Sequence, residues 1–149
     1  MGVTLAADIP DGAAVLMDTN PIIYLLEGNP LGEPFRSVFQ AVDAGRIRAV
    51  VTPITIAEVV TGPIKVGKEA LAERYRRTLT QAAGWTLCSI DADIAVLGAR
   101  LRVRHALKLP DAFQLAAALQ SGCYALVTHD RDFESVSDIP VLGAKRRRP

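Results

Sequence analysis

Cysteine, histidine and aromatic side chains are all scarce in this chain of 149 residues. The two cysteines, Cys88 and Cys123, are 35 positions apart and form no metal-type pair. That excludes a secreted disulfide scaffold and fits a protein of the reducing cytoplasm. The two histidines, His105 and His129, have no spacing that would pair them on one helix, which argues against zinc. Aromatics make up only 5% of the residues, so the apolar half of the chain is mainly Ala, Val, Leu and Ile. A long hydrophobic run is also missing. The longest uncharged stretch, Ala112 to Thr128, is broken by Gln114, Gln120, Ser121 and Gly122 and cannot span a bilayer. The opening MGVTLAADIPDG has no basic region ahead of an apolar one, so no signal peptide is expected. Position 6 is Ala, which disfavours myristoylation.

What is present suits one folded domain. A chain of this length buries roughly 70% of its unfolded surface, and with 50% hydrophobic and 22% charged residues it is not disordered. The net charge of +1 hides a pattern. Residues 1–64 carry −4, residues 65–109 carry +5 and residues 110–144 carry −4, and Lys145 to Arg148 add +4. Acidic ends flank a basic middle.

Residues 1–12 read as a lead-in, 13–142 as the domain and 143–149 as a basic tail. A continuous apolar run predicts a buried strand at Ala13–Met17, and Ile47–Val51, Trp85–Ile90 and Tyr124–Thr128 read as further strands, with a short fifth at Ile139–Leu142. Asn20-Pro21 and Thr52-Pro53 read as cap plus first helical residue. Helices are predicted over Pro21–Glu27, Glu33–Ala44, Pro53–Val60, Lys65–Ala83, Ala92–Ala106 and from Pro110 to Gln120. Strands separated by helices predict an α/β fold: a central parallel sheet of four to five strands with helices on both faces. Ligands in such folds collect at the carboxyl ends of the strands.

Four acids fall at those ends. Asp18 follows the first strand, Asp130 follows the fourth by two residues, Glu58 lies on the helix after the second, and Asp111 opens an otherwise apolar helix. Taken singly, Asp111 could be a cap, Asp18 and Asp130 loop acids, and Glu58 part of a solvated face. Together they suggest one acidic pocket, which needs a cation or a hydrogen-bond network. Oxygen ligands of this kind suit Mg²⁺ or Mn²⁺. His129, beside Asp130, reads as a solvated loop histidine.

Met17-Asp18-Thr19-Asn20, Thr55-Ile56-Ala57-Glu58-Val59, Leu109-Pro110-Asp111-Ala112 and Leu126-Val127-Thr128-His129-Asp130-Arg131-Asp132-Phe133 resemble the four acidic motifs of PIN-domain ribonucleases. Their order and spacing are similar to the VapC-type toxins of toxin–antitoxin pairs, and the resemblance runs from about Ala13 to Leu142. It implies a PIN-like three-layer α/β/α sandwich and a metal-dependent endoribonuclease whose Asp18, Glu58, Asp111 and Asp130 are both catalytic and metal-binding. Asp18 and Asp111 would be the most direct ligands; Asn20, Thr128 and Asp132 match supporting positions. Mg²⁺ or Mn²⁺ would activate water for attack on phosphorus. Gln114 departs from the family, where His is common, and little effect is expected of it. A cognate antitoxin and a homodimer are also implied, without any membrane association. The antitoxin's groove could come from Pro21 to Leu26 and the face of Phe35, Val38 and Phe39, although core packing is the first expectation for these residues.

The basic middle offers Arg74 and Arg77 on one helix face and Arg100 and Arg104 on another, with Arg102 and Lys108 nearby. They serve either as RNA phosphate contacts or as solvated faces. Three other readings stand beside the nuclease. One is a phosphatase with Asp18 as nucleophile, for which position 20 would have to be Asp rather than Asn. The second is a catalytically silent PIN-fold module binding RNA or protein. The third is a metal-free ribonuclease using His105 and His129.

Overall fold

The computed structural model describes residues 4–143; the tail Lys145 to Arg148 and the first three residues of the lead-in lie outside them. In chain order the elements are β1 (Ala14–Met17), α1 (Thr19–Leu26), a 3-10 turn (Pro30–Phe35), α2 (Arg36–Asp43) and β2 (Arg48–Val51). There follow α3 (Pro53–Lys65), α4 (Glu69–Gln81), β3 (Trp85–Leu87), α5 (Ala92–His105), α6 (Leu109–Gln120), β4 (Ala125–Val127), a 3-10 turn (Arg131–Phe133) and β5 (Val141–Leu142). The sheet order is β3-β2-β1-β4-β5, with every neighbouring pair parallel. This is the α/β/α sandwich expected.

Strand alternation builds the two outer layers. Val15, Met17, Ala49, Val51, Ala125 and Val127 face one way, onto Ile22 of α1, Val38 and Val42 of α2, Val59 of α3 and Leu79 of α4. Ala14, Leu16, Val50 and Leu126 face the other way, onto Ile94 and Leu101 of α5 and the Leu115–Ala118 run of α6. Because both faces are covered, β1 and β4 are apolar throughout, which is why they read as runs rather than alternations.

Several boundaries differ from expectation, each for a local reason. Asp18, not Asn20, occupies the cap position of α1, and its side chain makes no cap bond. The Glu33–Ala44 helix begins instead as the 3-10 turn, whose Asn29 side chain accepts from the Leu31 amide, and becomes α-helical only at Arg36. Gly62-Pro63 does not end α3. Pro63 lies inside the helix and is buried, and α3 packs against α4, so burial outweighs the backbone bond that proline cannot make. The Lys65–Ala83 helix is correspondingly shorter, as α4. Strand β3 stops at Leu87 and β5 starts only at Val141. Thr52 and Asp91 cap α3 and α5 as predicted, accepting from Thr55 and Ile94 amides.

The lead-in is tied to the domain. Ala6 and Ile9 are buried, and Arg46 donates to the carbonyls of Ile9 at 2.8 Å and Ala6 at 2.6 Å and to Asp11 at 2.8 Å. Phe35 and Val38 are wholly buried, and Phe39 packs on Trp85 at 5.8 Å between ring centroids. That face is core, not groove. Both cysteines are free, and burial pushes the Cys123 thiol up to about 12. Among the described residues no helix is long and apolar enough to cross a membrane.

Candidate active site

Chain direction across the sheet reverses between β1 and β4: from β1 the chain goes to β2 on one side and later returns to β4 on the other. Such a switch leaves a crevice at the carboxyl ends of the two strands. Asp18 and Thr128 are the residues just past those ends, and the Asp18 amide donates to the Val127 carbonyl at 2.9 Å.

Asp18 is only 6% exposed. Burial holds its carboxyl above the usual range, opposed by hydrogen bonds from the Thr128 side chain, the Thr19 backbone and Gln114, while Asp130 adds to the upward push. The donors grip both oxygens: Thr128 Oγ1 donates to Oδ2 at 2.7 Å and Gln114 Nε2 to Oδ1 at 3.2 Å. Thr128 also accepts the Asp130 amide at 2.9 Å, and Asp130 Oδ1 accepts the Asp132 amide at 2.8 Å. One hydroxyl therefore sets the positions of two acids.

Asp111 sits in the first turn of α6, whose cap position is Lys108. Its carboxyl is pushed up to about 7, by desolvation first and then by the charges of Asp130, Asp18 and Asp132, with Lys108 opposing. One oxygen from each of Asp111, Asp130 and Asp132 lies within 4.8 Å of the others. Asp132, expected as a support, thus joins a trio capable of sharing a cation. Glu58 is outside that trio. It is exposed on α3 and accepts from Thr19 Oγ1 at 2.9 Å, which places it beside the residue following Asp18.

An open cleft of about 570 Å³ runs along the acids, lined by Asn20, Leu31, Lys108, His129, Asp130, Arg131 and Asp132. His129 is not a freely solvated loop side chain. Its Nδ1 is 3.0 Å from Tyr24 Oη, and its ring meets the Tyr24 and Phe35 rings edge-on. His105 is engaged elsewhere, 2.7 Å from Asp138. Arg104 binds the same Asp138 at 3.0 Å, whereas Arg74, Arg77 and Arg100 are exposed on α4 and α5. Lys108, 3.8 Å from Asp132, is the lysine at the cleft itself.

Behind the acids lies Gln114, which sequence reasoning set aside, buried and in contact with Asp18. It is the sole polar side chain between Ala112 and Leu119, and that isolation was the available signal.

Residues 15–139 match the family model described as PIN domain. The chain belongs to the PIN-domain family. Within the PIN domain, the four acidic segments quoted above fall inside the matched span. Among solved structures, a toxin–antitoxin complex from Klebsiella pneumoniae is 31% identical, covering 84% of this chain and 94% of that one with a TM-score of 0.65. VapBC from Salmonella typhimurium, bound to DNA, is 20% identical, with coverages of 87% and 96% and a TM-score of 0.68. VapC20 of Mycobacterium tuberculosis, described as a toxin that cleaves the sarcin-ricin loop, is 16% identical, with coverages of 83% and 95% and a TM-score of 0.65. The last two share the PIN fold. No curated protein matches the sequence.

Proposed function

We propose that this PIN domain is a metal-dependent endoribonuclease and the toxin of a VapBC-like pair. The observation that carries the reading is the convergence of Asp111, Asp130 and Asp132 within 4.8 Å, beside buried Asp18. Three carboxylates so close repel one another, which adds to the burial that raises Asp111, and a divalent cation relieves both costs. The donor set is all oxygen, which fits Mg²⁺ or Mn²⁺. Asp18, Asp111, Asp130 and Asp132 would hold the ion, with Glu58 and Asn20 alongside. When bound, such an ion activates water and stabilises charge developing on a phosphodiester.

The protein's own contribution is placement. Thr128 and Gln114 orient Asp18, and the Asp132 amide orients Asp130. Lys108 and Arg131 line the cleft and would draw RNA phosphates toward acids that repel them until the cation is bound. Arg74, Arg77 and Arg100 would extend this attraction over the surface.

An antitoxin partner is supported by the Klebsiella relative, which was solved as a toxin–antitoxin complex. The face of α1, α3 and α4 offers Ile23, Leu26 and Tyr75 beside Glu58, and Ile56, Val60 and Ile64 further along. This replaces the Phe35–Val38–Phe39 face as the groove. A second copy could use the exposed Val96 and Val103 of α5. The reading places the protein in the cytoplasm, where RNA and a reducing medium coincide.

The test is cleavage of total RNA by the purified chain freed of any partner, in Mg²⁺ or Mn²⁺ against EDTA, and native against Asp18→Asn. Discrete fragments that need both the cation and Asp18 are expected. Fragments that persist in EDTA, or with Asp18→Asn, would overturn the reading.

A further inference from the structure

Gln114 is 1% exposed within the apolar body of α6, where an amide without partners would be strongly destabilising. It uses its whole carboxamide. Its Oε1 accepts the Thr52 hydroxyl at 2.6 Å, while Nε2 donates to Thr55 Oγ1 at 2.9 Å and to Asp18 Oδ1 at 3.2 Å. The orientation is not arbitrary. Thr52 Oγ1 already accepts the Thr55 amide, so its own proton is free for Gln114 Oε1. That turns the NH₂ end, which can only donate, toward a carboxylate, which can only accept.

We propose that Gln114 is a positioning residue for the metal site, holding the Asp18 carboxylate in its ion-binding orientation and coupling it to the start of α3. The inference rests on the reading of the acids as a cation site. Thr52 and Thr55 begin the helix that carries Glu58. One amide therefore joins three elements that supply the site: Asp18 after β1, the first turn of α3, and α6 with Asp111. Thr128 restrains the other Asp18 oxygen from the opposite strand. With both oxygens restrained, the carboxylate cannot rotate toward its neighbours, and the acids meet an arriving cation already aligned.

The geometry also accounts for glutamine in particular. Three partners need two donors and one acceptor on one planar group, which a carboxamide has. An imidazole has two nitrogens and can meet only two of the three partners. A methionine of similar length meets none.

The experiment is Mn²⁺ binding by the purified full chain, read from the electron paramagnetic resonance of free Mn²⁺ at pH 8, with cooperative urea unfolding as the check on folding. Gln114→Met is expected to weaken Mn²⁺ binding by about ten-fold or more, as loss of a group orienting a metal ligand does. Gln114→His should recover part of that loss. A folded Gln114→Met variant that binds Mn²⁺ within about twofold of the native chain overturns the proposal, and so does a His variant no better than Met. Should Gln114→Met not fold, Thr55→Val removes an anchor of the amide without touching Asp18. It is expected to weaken binding a few-fold, and unchanged affinity would again overturn the coupling. Failure of the native chain to bind Mn²⁺ would instead overturn the metal reading itself, so the two failures are told apart.

Discussion

Asp111→Asn is expected to make the metal-free protein more stable while removing its function. The carboxyl of Asp111 is pushed up from 3.8 to about 7 in the folded chain. Between those values the unfolded chain has already lost the proton that the folded chain still holds. Stability therefore falls as pH rises through that window and levels off above it. At 1.36 kcal/mol per unit, the full shift corresponds to about 4 kcal/mol. Solvent screening of a half-buried group reduces this to about 1–2 kcal/mol. An asparagine keeps the shape and cannot ionise, so the variant loses this part of the pH dependence. The assay is urea unfolding in EDTA at pH 5 and pH 8 for both proteins, whose difference cancels the titrating groups that do not interact with Asp111. Because pH 5 already lies about one unit inside that window, the native chain should lose about 1 kcal/mol more than the variant between the two pH values. Adding Mn²⁺ at pH 8 should reverse the order, since only the native site gains fully from ligand binding. Equal pH dependence in the two proteins, or a variant less stable than native in EDTA at pH 8, would refute the reasoning.

Lys108→Ala should lower RNA cleavage a few-fold at moderate salt and make the log–log salt dependence of binding shallower by about one. Lys108 is 80% exposed at the cleft. Arg104→Ala should matter less, because Asp138 already occupies that guanidinium at 3.0 Å; a larger effect from Arg104 would place the RNA path over α5 instead. Arg46→Ala removes three bonds to the lead-in and should cost about 1–3 kcal/mol in urea unfolding. Limited proteolysis near Ala6 to Asp11 should quicken while RNA cleavage per folded molecule is unchanged.

The layers of the fold were legible because they depend on burial, which composition records directly. The apolar runs that became β1 and β4 are buried on both faces without interruption, and β2 departs from this only at its exposed first residue, Arg48. The acids stood out for the same reason, as charges inside or just past such runs. Where sequence and structure part, a tertiary contact decides. Pro63 sits inside α3 with its ring buried, and burial at that position is not visible in the Gly62-Pro63 pair itself. Asp132 reaches the acidic trio because a 3-10 turn at Arg131–Phe133 folds it back, and three residues carry no periodicity from which to see that. His129 is packed by Tyr24, 105 positions away. Gln114 was visible as an oddity in an apolar helix, but its partners Thr52, Thr55 and Asp18 come from elsewhere in the chain, so its role needed the fold.

The sheet order also bears on when the site first exists. β4 lies beside β1, and Thr128 reaches Asp18 across 110 positions. A growing polypeptide has Asp18 and Glu58 long before, and Asp111 shortly before, it has Ala125–Val127 to dock in the sheet or Asp130 and Asp132 to complete the trio. On the proposed ribonuclease reading, this order of synthesis acts as a delay: the ribosome and message producing the chain would work beside an incomplete site until the segment carrying Asp130 and Asp132 emerges. A product truncated before Ala125 would carry most of the acidic motifs and yet be inert.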